Sequence, residues 1–378
     1  VAKCREPVSH ALRNAALLGW IGLVQFLPAL LLVVVTGVAS DRLGRRNVMG
    51  VSVSVELLCA GGILALAATG AFDPLIVLAT LTVFGIARAF YTPASSSLAV
   101  NLVPREDFAN AVGWLASSWQ TASILGPVAG GLLYGVAAGF AYGTAVTLFA
   151  IAALLIFSIP KPEQKIDREP TTLSVLLGGF KYVFNQKVVL GAISLDLFAV
   201  LLGGAVALLP IYARDILEIG EEGLGLLRAA PGIGAILMLG IITIFPIRDH
   251  AGLILFVSVA LFGLATVVFG HSNLVWLSIM ALIFVGAFDM VSVYIREILL
   301  QLWTPDQVRG RVNAVNSIFL GASNELGEAR AGFMAAKWGA VFTVVAGGYA
   351  AIGVAAAWAV LFPGIRKTRN LHSGVPED

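Results

Sequence analysis

Apolar and polar residues in this chain are segregated into long blocks. Eleven apolar runs, at about 16–39, 48–70, 74–92, 110–136, 138–160, 188–212, 224–247, 251–270, 273–300, 312–335 and 338–362, are joined by short polar connections. Each run is long enough to be a membrane-spanning helix, since roughly 20 apolar residues cross the hydrocarbon layer. The only long polar connection is 161–187. Its first part has the composition of a linker, and 173–184 fits a short helix lying on the membrane surface. The expected organisation is a polar segment (1–15), a helical bundle (16–160), a linker (161–187), a second bundle (188–363) and a tail (364–378).

Composition narrows the class. The chain is 58% hydrophobic and 12% charged, with a mean hydropathy of +0.92, an apolar content outside the range of soluble domains. Cys4 and Cys59 form no CxxC pair and the four histidines have no metal-ligand spacing. No phosphate-binding loop, metal cluster or nucleophile constellation is present, so the sequence points to neither an enzyme, a cofactor nor a nucleic-acid partner.

Charge sets the orientation. With the connection at Asp41 placed in the cytoplasm, fifteen of the 24 Lys and Arg fall on that side and seven on the other. The connections near Gly70, Gly139 and Gly270 carry none. Basic residues favour the cytoplasmic face, which also puts the C-terminus there.

An internal repeat divides the chain in the same way. Pro28 and Pro231, Gly37 and Gly240, Arg45 and Arg248, and Asn110 and Asn313 are each 203 residues apart. Two parallel half-repeats place a substrate site near the bilayer midplane. By this offset the run at 188–212 lacks a partner, which would precede Val1. A twelfth helix is therefore expected upstream, the chain being a fragment, a misplaced start or a true variant.

Three groups of residues carry candidate chemistry. The first is the basic turn between the first two runs, with Gly37, Asp41, Arg42, Gly44, Arg45 and Arg46 in the pattern G-x-x-x-D-R-x-G-R-R. The second is Gly113, Ala122, Gly126, Pro127, Gly130 and Gly131 in the run at 110–136. Small residues there allow close helix approach, and Pro127 removes a helix hydrogen bond. The third comprises ionisable residues inside the runs: Glu56, Arg88, Asp196, Asp289, Arg296, Glu325 and Glu328. A charge at the bilayer centre costs roughly 2.5–3.5 kcal/mol. Asp289 and Arg296 share a helix face, as do Glu325 and Glu328. The carboxylates fit either a proton carrier or a structural ion pair, and Arg296 is placed near the cytoplasmic boundary, where its long stem can snorkel.

The basic turn resembles the signature loop of the major facilitator superfamily. The second group is similar to that family's antiporter motif, with Ala122 in place of one glycine. Longer stretches such as NLVPREDFANAV and GLGLLRAAPGIGA resemble its enterobactin-exporter and macrolide-efflux branch. The resemblance implies an all-α polytopic membrane protein of two pseudo-symmetric bundles, twelve helices in the family and eleven here. It further implies a monomeric transporter in the inner membrane, exporting small amphipathic molecules in exchange for protons. Asp41 would latch the cytoplasmic ends of the halves, and Arg88 stands where the family has an arginine linked to proton coupling. Uptake without proton exchange and a non-transporting fragment remain the alternatives.

Overall fold

The computed structural model describes residues 17–367 apart from 18, 26, 29–30, 33–35, 37–42, 71–72, 103–107, 161–179, 205 and 248, and apart from a number of side chains within 93–127, 221–222 and 301–317. Among the described residues every regular element is a helix. An opening helix, described in pieces between 17 and 36, precedes α1 (Arg45–Thr69), α2 (Pro74–Leu102), α3 (Phe108–Val136) and α4 (Ala138–Ser158). After the linker come α5 (Lys187–Gly203), α6 (Gly220–Ile244), α7 (Ala251–His271), α8 (Val275–Leu302), α9 (Asp306–Trp338), α10 (Ala340–Leu361) and the short α11 (Pro363–Lys367). Eight spans among the described residues are long and apolar enough to cross a membrane.

The helices group into two compact units, Leu23–Leu173 and Ser174–Asp378, the latter joined by Val1–Gly22. In the smaller unit α1 packs against α2 and α4. A side chain at Gly85 of α2 would come within 2.8 Å of the Gln25 carbonyl in the opening helix. In the larger unit a buried cluster runs through α5, α7, α8 and α10, with Leu195, Leu255, Ile295, Leu299 and Ala355 among its members. Lipid supplies no hydrophobic drive between helices, so close backbone approach carries their association. Gly263 of α7 and Gly348 of α10 face each other, and a Cβ on either would lie 2.6 Å from the other's carbonyl oxygen. A Cβ on Gly286 of α8 would collide with the Pro231 carbonyl of α6.

The uninterrupted run at 188–212 is not one regular helix. α5 ends at Gly203, and Val206–Leu208 forms a 3-10 turn, followed by Leu209–Ile211 and a π-helical turn at Tyr212–Ile216. Gly203 and Gly204 are weak helix formers, and Pro210 has no N–H to donate. Arg330 of α9 reaches the break, its Nε donating to the Leu201 carbonyl at 2.7 Å. Backbone groups freed within a span are thus satisfied from a neighbouring helix. The end of the linker is also docked: Val183 is fully buried, and the Tyr182 hydroxyl donates to the Trp303 carbonyl at 2.9 Å.

Candidate functional site

Residues at spacings of three and four fall on one face of a helix, so Asp289, Ser292 and Arg296 line a single stripe of α8. Opposite them on α5 stands Asp196. The Arg296 guanidinium forms an ion pair with the Asp196 carboxylate through Nη1 and Oδ1. Both residues are buried, at 2% and 7% exposure. Asp289 lies close enough to interact electrostatically with both of them. Between the helices is a cavity of about 10 Å³ lined by Asp196, Asp289 and Ser292, with apolar walls from Ala199, Val200, Val259 and Phe262. Arg296 Nε has no hydrogen-bond acceptor among the described residues.

Neighbouring bonds hold this arrangement. The Trp358 indole of α10 donates to the Ser194 hydroxyl at 2.9 Å, two residues before Asp196. On the other flank, Asn316 of α9 donates to Glu297 of α8 at 3.3 Å. The charged groups therefore sit on two helices, α5 and α8, each tied by one of these bonds to a neighbouring helix.

Arg296 does not snorkel. It is buried and paired, because a carboxylate across the helix interface offers its charge a partner nearer than water. Asp196, Asp289 and Arg296, scattered in sequence, are brought to one place. Glu325 and Glu328 are not part of it: they lie on α9 beside the opening helix, where a Cβ on Gly22 would come 2.7 Å from the Glu325 carbonyl and 3.1 Å from Glu328 Cβ. Arg88, in the smaller unit, is exposed and acts electrostatically on Glu56, which is buried at 6% exposure.

In the basic turn, Gly37, Asp41 and Arg42 lie outside the described residues. Gly44 takes a left-handed φ of +87° directly before α1, a conformation that glycine adopts without a steric penalty. Arg46 caps α4: its Nε donates to the Ile156 carbonyl at 3.2 Å and its Nη2 to that of Phe157, with the guanidinium over the Phe157 ring. A cation here offsets the negative end of the helix dipole. Arg45 begins α1. In α3 the helix runs unbroken through Gly113, Ala122, Gly126, Pro127, Gly130 and Gly131; a Cβ at Gly126 or Gly130 would meet nothing within 4 Å.

The sequence reading missed two participants, Ser292 and Arg330. Ser292 completes the spacing of Asp289 and Arg296, a signal available from helical period alone. Arg330 is an arginine inside an apolar run next to a Gly-Gly pair in another run, but only their contact gives it a role.

The sequence pattern of the Major Facilitator Superfamily matches residues 7–293. The chain is 24% identical over 351 residues to the multidrug resistance protein MdtG of Citrobacter koseri, covering 88% of this chain and 83% of that protein. It is 28% identical over 251 residues to the enterobactin exporter EntS of Shigella boydii, covering 65% of this chain and 58% of that protein. In fold it is similar to the crystal structure of a D-xylose-proton symporter, with a TM-score of 0.68 at 17% identity over 95% of this chain and 90% of the other.

Proposed function

The chain belongs to the major facilitator superfamily, and from that premise we propose that this membrane transporter exports small amphipathic molecules in exchange for protons. Membership makes it a transporter with a small-molecule substrate and not an enzyme. Its similarity to proteins named as a multidrug resistance protein and an enterobactin exporter supports efflux. The inner membrane, with a cytoplasmic C-terminus, is the location that fits its charge distribution.

Support for proton exchange rests on one observation: Asp196, Asp289 and Arg296 are assembled inside the spans of the larger unit. Each charge carries an insertion cost of roughly 2.5–3.5 kcal/mol. A purely structural pair would need one acid and one base. Here a second carboxylate remains, and a group that can be neutral or charged in the layer suits a proton carrier. Taking up or losing that charge biases the inward–outward equilibrium only if the two states bind the proton differently. Asp41 and the basic turn would hold one of these states.

The test is transport in inverted membrane vesicles, with and without a pH gradient, over siderophores, macrolides and dyes. Accumulation of at least one of these under an acid-inside gradient, abolished when the gradient is collapsed, is the expected result. Equal transport in both conditions would make the protein a uniporter.

A further inference from the structure

We propose that Asp196, Asp289 and Ser292 form one site that carries a single proton through a water held between α5 and α8, with Arg296 as its fixed counter-charge. This rests on the proton-exchange reading above and gives that reading its address and its stoichiometry.

The count follows from charge. An arginine does not lose its proton in a protein, so two carboxylates and one guanidinium leave the site at −1 when both acids are ionised. Adding one proton makes it neutral, the form an apolar interior favours. The geometry gives that proton a place. The cavity of about 10 Å³ is bounded by Asp196, Asp289 and Ser292 among apolar neighbours, and a water needs roughly that much room and two to four polar partners. Asp196 is engaged by Arg296, whose Nε is a buried donor with no acceptor among the described residues. On loading, a carboxylate oxygen forms an O–H bond to a proton delivered by water. On release that bond breaks, its electron pair stays on the oxygen, and the proton leaves on water.

Surrounding helices leave the count unchanged. α7 and α10 bring no ionisable side chain to the cavity wall. Arg228, the one arginine of α6, is exposed. On α9, Arg330 is directed to the Leu201 carbonyl, while Glu325 and Glu328 lie beside Gly22. On α8 itself, Glu297 is held by Asn316.

Infrared difference spectroscopy on the full chain in liposomes reads the protonated carboxyl band as pH is stepped. Beyond the contribution of Glu56, a buried carboxyl of the smaller unit that is subtracted with Glu56→Gln, the wild type should show a band worth one carboxyl per chain, titrating in one step. Asp289→Asn should remove it, because Asp196 and Arg296 then balance. Asp196→Asn should also remove it, because Arg296 then balances Asp289. Arg296→Gln should double it, and Asp196→Asn combined with Arg296→Gln should restore a single-carboxyl band. The double variant tests the count even if Arg296→Gln alone fails to fold. Glu325→Gln should leave the band intact.

A band unchanged in Asp289→Asn, or a two-step titration in the wild type, would overturn the shared site. Loss of the wild-type band on adding sodium at constant pH would make this a metal-cation site instead. Gradient-driven export without the band would remove the site and leave proton exchange standing. The band with gradient-insensitive export would do the reverse.

Discussion

Arg46 shows how one residue can take a duty its motif does not announce. By sequence it is one of three arginines that mark a cytoplasmic connection, and that placement was legible. Its partners, the carbonyls of Ile156 and Phe157, are more than a hundred residues away, and no local pattern points to them. Arg46→Leu should lower stability by about 1.5–3 kcal/mol, the range for a hydrogen bond to a charged group. Arg46→Lys should recover only part of this, since an ammonium cannot match the planar fork that reaches two carbonyls. Thermal unfolding of the purified protein in detergent measures both. The buried pair makes a second residue-scale prediction. Arg296→Leu strands the Asp196 carboxylate, so unfolding should be easier by about 3–5 kcal/mol, the usual cost of removing one partner. Removing Asp196 as well should return much of that loss.

Element by element, the apolar blocks marked most helix positions to within a few residues, because length and composition dominate in a membrane. The pattern predicts α7 over 251–270, and it spans Ala251–His271; it predicts α10 over 338–362, and that helix spans Ala340–Leu361. The run at 188–212 lies within a span, Lys187–Ile216, long and apolar enough to cross a membrane, but its internal break is not legible in the sequence, for a physical reason. Its apolar residues continue across Gly203 and Gly204, and the bond that makes the break tolerable comes from Arg330 on another helix. Arg330→Met should leave the Leu201 carbonyl without that donor, at a cost of about 1–3 kcal/mol. Amide hydrogen exchange around 200–208 should rise while exchange in α7 stays unchanged. The crossing of α6 and α8 gives a further case: Gly286→Ala puts a methyl group into the Pro231 carbonyl. Overpacking of this kind costs about 1–3 kcal/mol, which should appear as a lower yield of folded protein, with Gly286→Ser no better.

For the whole molecule, the sequence made the fold class and the family resemblance plain, while the candidate site stayed half hidden. Asp289 and Arg296 were paired by helical period, yet Arg296's actual partner, Asp196, lies a hundred residues earlier. Nothing in either run says which faces meet. Asp41 lies outside the described residues, and its role is argued from charge alone: Asp41→Asn keeps the size and removes the charge. Transport should fall severalfold while membrane insertion stays normal; full activity would dismiss the latch. The central claim is that protons and substrate move in opposite directions through one protein. Its most direct test is to load proteoliposomes with a transported substrate at equal pH on both sides and to follow internal pH as the substrate leaves. Exchange predicts internal acidification with the wild type and none with Asp289→Asn. Substrate efflux with no change of internal pH in the wild type would contradict the account.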